Sequence, residues 1–165
     1  MRIGSSFDFH PFKKGRKLIL GGVHIPYEMG LDGVSDADVL YHAIAEAVLG
    51  ALALGDLGTH FKPKDSKDMD SSLIMLKVKN MMEELNYKIV NIDSTIMLEE
   101  PKLAPYIEKM RQNISNIFNI NINQVSVKAT TAEKTGPIGH KEGCLAQATV
   151  LLEEVDYGRN TKRLV

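Results

Sequence analysis

Several features that mark common protein classes are scarce in this sequence. The 165 residues include one cysteine, Cys144, so no disulfide framework can form, which is typical of a protein in a reducing compartment. Aromatic residues make up 6% of the chain and the formal net charge is −1. Few aromatics argue against a base-stacking surface, and a balanced, dispersed charge argues against a basic patch. We therefore expect no nucleic-acid partner.

Long hydrophobic runs are missing as well. No apolar run approaches the ~18 residues that a membrane-spanning helix needs. A strand-like pattern begins directly after Met1 and Arg2, without the apolar segment of a secretory signal peptide. We expect no membrane partner and a cytoplasmic location; a mature organellar protein that has lost its transit peptide would look the same.

The order of apolar patterns predicts an α+β fold. Strands are predicted at 2–9, 17–20, 23–26, 88–98, 124–130 and 143–154, with loops at 27–34 and 131–142 and helices at 36–53, 71–85 and 101–118. Pro101 would open the last helix, since proline is favoured at a first helical position. We expect a mostly antiparallel four-stranded sheet with helices packed on one face. The length predicts a single domain over residues 1–155, followed by a frayed tail at 156–165.

A candidate metal site begins with Asp8 and His10, two residues apart in the first predicted strand. Side chains alternate between the faces of a strand, so these two point the same way. His42, in the predicted helix 36–53, would add a third ligand. Two histidines and a carboxylate are a usual catalytic zinc set because they leave the fourth position open. The alternative is a chance pair beside an ordinary surface or core histidine.

The predicted helix around His42 has one apolar face, and Ser35 is a suitable N-cap before it. At about 100° per residue, Asp38, His42 and Glu46 form a stripe opposite that face. The stripe is either an ordinary solvated surface or a ligand flanked by acidic groups. The apolar face consists of Leu40, Ile44, Ala47, Val48 and Ala51.

A second candidate site follows the predicted strand 124–130, where the chain reads TTAEK at 130–134. Threonine hydroxyls and turn amides donate hydrogen bonds to phosphate oxygens. A carboxylate such as Glu133 can hold a magnesium ion that shares those oxygens. The alternative is a polar loop with no ligand.

With these pieces placed, the chain resembles the 2-C-methyl-D-erythritol 2,4-cyclodiphosphate synthases, the cyclising enzymes of the non-mevalonate (MEP) isoprenoid pathway. The resemblance covers residues 1–153 in the family's order and spacing. Each matching motif is weak alone, whereas the set is specific. The motifs are RIG and FDFH at 2–4 and 7–10, GGVxIPY at 21–27, SDADV at 35–39, GDLG at 55–58, PK at 101–102 and VKATTxEK at 127–134.

The resemblance implies a lyase that closes a cyclic diphosphate. In that reaction the 2-phosphate of 4-diphosphocytidyl-2-C-methyl-D-erythritol 2-phosphate attacks the β-phosphorus, and CMP leaves. It also implies a homotrimer around a central cavity, with active sites between neighbouring subunits. Because the reaction joins two anions, catalysis depends mostly on positioning and charge neutralisation. A protein nucleophile is not required.

The resemblance further implies roles for individual residues. Asp8, His10 and His42 would bind zinc, Glu133 would bind magnesium or manganese, and Thr131 would support the transition state. Pro137, His140 and Glu142 would line the central cavity, where the family can hold an isoprenoid diphosphate. The expected substrate contacts are Ser35; Asp56, Leu57, Gly58, Phe61 and Asp65; a cytidine diphosphate pocket of Leu98, Pro101, Lys102, Leu103 and Ala104; and Thr130, Thr131, Ala132 and Glu133.

Near the expected metal site, the chain departs from the family pattern. Val34 stands where the family usually has a histidine that aids phosphate positioning, and Glu46 replaces a usual aspartate. After Phe61, the sequence KPKD at 62–65 replaces the usual PDTD. Lys62 or Lys64 could therefore take over the phosphate contact that Val34 lacks.

At the expected trimer axis, Pro137 and His140 stand at positions that are often phenylalanine and arginine. Arginine keeps its charge and binds phosphate through a planar fork, whereas histidine is largely neutral at pH 7. We expect weaker or pH-dependent binding of an isoprenoid diphosphate in the central cavity.

Two other functions stay open. A non-catalytic trimeric binding protein would explain Val34 and the altered loop, but it would not need both expected metal sites. Another zinc enzyme, such as a phosphohydrolase, would not need the cytidine pocket or the TTxE match.

Overall fold

Two β-sheets and a layer of helices make up residues 1–62 and 69–155, the part of the chain that the computed structural model describes. The predicted contact Asp65, the alternative cation Lys64 and the predicted tail 156–165 lie outside these residues. The strands are β1 Arg2–Lys14, β2 Leu18–Leu20, β3 Val23–Ile25, β4 Met29–Leu31, β5 Tyr87–Met97, β6 Val125–Thr130 and β7 Gly143–Glu154. The helices are α1 Val39–Ala51, α2 Leu57–His60, α3 Ser71–Glu84, α4 Ile107–Phe118 and α5 Gly136–Gly139.

The main sheet has five strands in the order β4-β1-β7-β5-β6, with a separate β2–β3 hairpin. The prediction of four strands was therefore wrong. The short edge strand β4 pairs antiparallel with the end of β1, inside a segment predicted to be a loop. The sheet is also mixed: β5 and β6 run parallel because α4 carries the chain back between them. The other pairs, β1–β7 and β5–β7, are antiparallel as expected.

Helices α1, α3 and α4 cover one face of this sheet, and the apolar core lies between the two layers. The other face presents large apolar side chains to the surface: Ile3 is 71% exposed, Phe7 73% and Phe9 41%. A surface of this kind is typical of an interaction site. Among the described helices, none has the length and hydrophobicity to cross a membrane.

Helix α1 packs very close to strand β1 because Gly4 has no side chain. A β-carbon at Gly4 would lie 1.9 Å from the carbonyl oxygen of Ala47. The inward positions of β1 then meet α1 in succession: Ser6 donates a hydrogen bond to Glu46 (3.4 Å), and Asp8 Oδ2 lies 3.0 Å from His42 Nδ1. The close approach therefore brings His42 to Asp8.

The N-terminus of α1 is fixed by Asp38, not by Ser35 as predicted. The Asp38 carboxylate is fully buried and accepts the backbone N–H groups of Tyr41 (3.1 Å), Gly21 (2.9 Å) and Gly22 (2.7 Å). Gly21 and Gly22 have positive φ angles of 57° and 69°, which glycine adopts at no steric cost. Asp38 thus caps α1 and ties it to the β2–β3 turn.

The structure decides three sequence-based expectations about the helices. Of the two interpretations of the Asp38, His42 and Glu46 stripe, the ordinary solvated surface is excluded, because Asp38 is buried and the other two side chains point at β1. The predicted apolar face of α1 is confirmed as buried. Pro101 does not open a helix: a 3₁₀ turn at Ala104–Tyr106 precedes α4, and Pro105 occupies its start, where a missing N–H costs nothing.

Replacing Asp38 with alanine should lower the free energy of unfolding strongly. The change removes a helix cap and leaves three buried or partly buried N–H groups without their acceptor, for a loss of about 3 kcal/mol. Urea unfolding followed by circular dichroism measures the loss.

Asp70→Ala is the matched control. Asp70 caps α3 but is exposed, and its side chain accepts the backbone N–H of Ser72 (2.8 Å), so its loss should be about 1 kcal/mol. If Asp38→Ala and Asp70→Ala lower the free energy of unfolding equally, the hydrogen bonds from Asp38 to the β2–β3 turn do not contribute to stability.

Candidate functional site

The three predicted metal ligands converge on one point. Asp8 Oδ2 lies 3.0 Å from His10 Nε2 and 3.0 Å from His42 Nδ1, and the two histidine nitrogens are 3.2 Å apart. The side chains are partly buried, with exposures of 28%, 18% and 12%. Adjacent inward positions of β1 supply Asp8 and His10, and the first turn of α1 supplies His42.

The triangle of donor atoms fits a divalent cation. A tetrahedral ion with bonds of about 2.0–2.1 Å to nitrogen and oxygen separates its ligand atoms by about 3.3 Å. The observed separations are 3.0 to 3.2 Å. Three protein ligands also leave the fourth position free, as in catalytic zinc sites. The ligand atoms of Asp8, His10 and His42 therefore have the arrangement that a divalent metal ion requires.

The second nitrogen of each histidine has its own partner. His10 Nδ1 lies 2.6 Å from the backbone carbonyl oxygen of Asp32, and His42 Nε2 lies 3.0 Å from Ser71 Oγ and 3.3 Å from Ser35 Oγ. Such outer hydrogen bonds orient a metal-binding imidazole and select its tautomer. Both rings are therefore held ready for a metal.

The ligands influence each other's ionisation. Burial by itself would raise the pKa of Asp8, but hydrogen bonds and charge from His10 and His42 outweigh burial and hold that pKa well below its usual range. Burial would lower the pKa of His10, but the hydrogen bond and charge of Asp8 raise it above 6.5. Asp8 is therefore ionised at neutral pH, while His10 holds a proton more tightly than an ordinary histidine.

The triad borders a cavity of about 320 Å³. The predicted contacts Ser35, Leu57, Gly58 and Phe61 line it, and Asp56 caps α2 at its edge by accepting hydrogen bonds from Thr59. The rest of the lining is mostly apolar and consists of Phe7, Val34 and Ile74, with Glu46.

Two of the residues that depart from the family pattern lie in this cavity. Val34 is 48% exposed and presents an apolar side chain there. Glu46 accepts the backbone N–H of Leu57 at 3.1 Å and the Ser6 hydroxyl at 3.4 Å. Glu46 thus holds the α2 segment against β1.

The residues predicted to form the cytidine diphosphate pocket line a second cavity, of about 210 Å³. Two segments that are far apart in sequence, 98–104 and 129–131, come together at this cavity. The lining consists of Leu98, Glu99, Pro101, Lys102, Leu103, Ala104, Ala129, Thr130 and Thr131. It contains every residue predicted for the pocket.

The loop after β6 places Thr131 and Glu133 side by side. The Thr131 hydroxyl donates to Glu133 at 2.7 Å, and both side chains are exposed. The backbone N–H of Ala132 is donated to Glu99 Oε2 at 3.3 Å, which joins the loop to the second cavity. The exposed Glu133 carboxylate is free to face a ligand or a neighbouring chain.

The two cavities lie on different parts of the sheet. Asp8 pairs with Ala146, Ala146 with Ile96 and Ile96 with Ala129, so the two sites share one row that spans three strand spacings, or about 14 Å. Asp8 points to the helix side. Thr130, the residue after Ala129, points to the opposite face because side chains alternate.

The residues predicted for the central cavity lie together at one end of the sheet. Pro137 is in α5, His140 follows it, and Glu142 precedes β7; all three are exposed. The Glu142 N–H is donated to the Pro137 carbonyl at 2.9 Å.

Sequence reasoning missed two polar residues behind His42. Ser71 is fully buried at the start of α3, and its hydroxyl contacts Asp36 as well as His42. The only sequence signal was the helix-start pattern at Asp70 and Ser71, which does not reveal that this helix end meets α1.

The apparent affinity for a divalent metal should fall as the pH drops. A metal needs the free lone pair of His10, and the contact with Asp8 raises the pKa of His10, so protons compete with the metal at a higher pH than they would at an ordinary histidine. Below that pKa we expect a loss of about tenfold per pH unit for each displaced proton. Competition with a chromogenic chelator between pH 6 and 8 measures it.

His24→Gln is the control for this measurement, because His24 is exposed on β3 and should leave the pH slope unchanged. A wild-type affinity that stays constant over this range would contradict the assignment of His10 as a ligand.

Comparisons with known proteins agree with this geometry. The model of the YgbB family matches residues 1–153. A 2-C-methyl-D-erythritol 2,4-cyclodiphosphate synthase from Pelodictyon phaeoclathratiforme is 53% identical over 157 residues, covering 94% of this chain and 100% of the relative. One from Geobacillus is 51% identical over 93% of this chain and 98% of the relative.

Solved structures share the fold. IspF of Plasmodium falciparum in complex with CDP superposes with a TM-score of 0.84 at 35% identity, over 94% of this chain and 97% of that one. The bifunctional IspDF of Campylobacter jejuni gives a TM-score of 0.90 at 36% identity, and this chain spans 42% of its length. The metal-binding triad, the fold and the sequence matches together show that this chain belongs to the YgbB family.

Proposed function

We propose that this chain converts 4-diphosphocytidyl-2-C-methyl-D-erythritol 2-phosphate to 2-C-methyl-D-erythritol 2,4-cyclodiphosphate, with release of CMP. An oxygen of the 2-phosphate bonds to the β-phosphorus, and the bond from that phosphorus to the oxygen bridging to the α-phosphate breaks. The convergence of Asp8, His10 and His42 in a chain 53% identical to a named synthase carries this proposal.

Asp8, His10 and His42 would hold zinc, to which two imidazoles and a carboxylate are well suited. Zinc there would act as a Lewis acid on a phosphate oxygen. The apolar wall of the first cavity limits water around the reacting phosphates, while Asp56 and the α2 segment would contact the methylerythritol portion. Ser35, next to His42, would contact phosphate.

The second cavity would bind the cytidine diphosphate portion. Lys102 supplies positive charge there, and Thr130 and Thr131 supply hydroxyl donors for phosphate oxygens. Glu133 would hold magnesium or manganese, which neutralises charge on the diphosphate. Thr131, hydrogen-bonded to Glu133, would support the transition state.

A homotrimer would complete the site. Within one chain, the strands that carry Asp8 and Thr130 lie three strand spacings, or about 14 Å, apart, so one chain does not bring the Thr131 loop onto its own metal ligands. The exposed apolar face with Ile3, Phe7 and Phe9 offers a surface for self-association. Neighbouring subunits that meet there would place the second cavity of one beside the first cavity of the next.

Within that trimer, Pro137, His140 and Glu142 would surround a central cavity that holds an isoprenoid diphosphate. With His140 in place of the usual arginine, binding would be weaker or pH-dependent, because arginine keeps its charge and binds phosphate through a planar fork. Val34 stands where the family usually has a histidine, so one phosphate contact would be missing. Turnover by the wild-type protein tests whether the chain tolerates this loss.

The mass in solution tests the trimer. Light scattering behind size exclusion should give three times the 18.3 kDa chain mass. Phe9→Glu should shift the protein to smaller species, because it puts a charge on the apolar face. Leu85→Glu is the control, since Leu85 is similarly exposed (46%) at the end of α3 on the helix side. A wild-type monomer, or an intact Phe9→Glu trimer, would refute this interface.

Product analysis tests the reaction. Phosphorus NMR of the wild-type protein with substrate, zinc and magnesium should show a cyclic diphosphate and an equal amount of CMP. His42→Ala should keep the fold and lower turnover by at least about 10²- to 10³-fold. His24→Ala, the control, should keep the fold and leave turnover unchanged.

The alternatives give different products. A folded, zinc-loaded protein without turnover would indicate a binding protein, and release of inorganic phosphate would indicate a phosphohydrolase. An active, zinc-loaded His42→Ala protein would overturn the ligand assignment.

A further inference from the structure

We infer that Ser71 and Asp36 are positioning residues that lock the His42 ring so that Nδ1, and not Nε2, is presented to the metal. The inference rests on the metal site of the proposed function. It concerns two residues outside the ligand set, one at the start of α3 and one in the loop before α1.

The geometry fixes which nitrogen of His42 faces the metal. Nδ1 lies 3.0 Å from Asp8 Oδ2 and 3.2 Å from His10 Nε2, at the point where the three donors converge. Nε2 points away, 3.0 Å from Ser71 Oγ. A neutral imidazole has one lone pair and one N–H, so a ring that binds metal through Nδ1 must donate from Nε2.

The direction of each hydrogen bond then follows. If the Ser71 hydroxyl accepts from His42, its single proton is free to be donated onward, and it contacts Asp36 Oδ1. An ionised carboxylate accepts only, so the order His42 to Ser71 to Asp36 is consistent at every step. Ser71 is fully buried, which protects the chain of bonds from water.

Asp36 also fixes the position of the serine. Its Oδ2 accepts the backbone N–H of Ser71 at 3.1 Å, so the carboxylate holds both the hydroxyl and the amide of one residue. The backbone N–H of Asp36 is donated to the carbonyl of Met69 at 3.0 Å. The loop before α1 and the start of α3 are therefore joined directly behind the metal ligand.

His10 provides an internal comparison. It faces the metal point with Nε2, and its Nδ1 lies 2.6 Å from the backbone carbonyl of Asp32. That acceptor is part of the main chain. The support of His42 comes instead from two side chains, so substitution can remove it while the support of His10 stays.

Ser35 is a second, weaker partner of the same nitrogen. Its hydroxyl is 3.3 Å from His42 Nε2 and already accepts the backbone N–H of Ala37 at 3.1 Å. Ser71 has the shorter contact and the carboxylate behind it. A carboxylate behind an imidazole raises the electron density of the metal-facing nitrogen, so Ser71 and Asp36 should raise the affinity for zinc.

Zinc affinity of the full chain, measured by chelator competition, tests the inference without relying on turnover. Ser71→Ala should weaken zinc binding by about 10- to 100-fold, and Asp36→Asn should weaken it by at least severalfold because the charge is lost. Ser72→Ala is the matched control: Ser72 is the next residue of α3, lies outside this chain of bonds, and should leave the affinity unchanged.

Nitrogen NMR of the histidine rings gives a second readout that a merely structural role would not move. In the zinc-loaded wild type, His42 should carry its proton on Nε2 and His10 on Nδ1. In folded Ser71→Ala, the His42 signals should broaden or shift while those of His10 stay in place.

Wild-type zinc affinity in Ser71→Ala would overturn the inference, as would an Nδ1-protonated His42 in the zinc-loaded wild type. If Asp36→Asn binds zinc with wild-type affinity, the Asp36 carboxylate has no part in positioning His42. If Ser71→Ala is unstable, the zinc-induced rise in melting temperature in Asp36→Asn decides instead. Zinc affinity can follow these expectations even if the wild-type protein forms no cyclic product, so failure of the proposed function is recognised separately.

Discussion

The site depends on the close packing of helix α1 against strand β1. Because Gly4 has no side chain to collide with Ala47, α1 lies directly against β1. The distance along two residues of the strand is then close to the distance along four residues of the helix. Two residues of strand advance about 6.7 Å, and four residues of helix advance about 6 Å. Ser6 therefore meets Glu46 and Asp8 meets His42 in step. The metal ligand of α1 is positioned by the same contact that builds the core.

Hydrogen bonds behind this contact hold it in place. The buried Asp38 carboxylate binds the start of α1 to the β2–β3 turn. Two residues before it, Asp36 binds Ser71 and so joins the loop before α1 to α3, and the Ser71 hydroxyl contacts the ring of His42. Asp36 and Asp38 thus act as fixed hydrogen-bond acceptors. Asp38 and Ser71 are fully buried, so a hydrogen bond lost there would leave a buried polar group without its partner, which is costly.

The groups of the proposed reaction lie in two separate cavities of one chain. The Asp8, His10 and His42 triad is on the helix side of the sheet at β1, and the cavity with Thr130 is three strand spacings away at β6. Relatives about half identical to this chain are named for one cyclisation reaction. The exposed apolar side chains of Ile3, Phe7 and Phe9 lie on β1, the strand that carries Asp8 and His10. In the proposed trimer, a second copy would cover them and bring the two cavities together.

The sequence by itself determined the α+β class, the same-side placement of Asp8 and His10, and the buried face of α1, because these follow from the short periods of strand and helix. Its motifs also sufficed for the family. Only the tertiary structure decided the fifth strand, the parallel β5–β6 pair, the Asp38 cap and the contact of Ser71 with His42. These depend on which elements meet in space, and a local pattern such as Ser71 at a helix start does not record what that helix end touches.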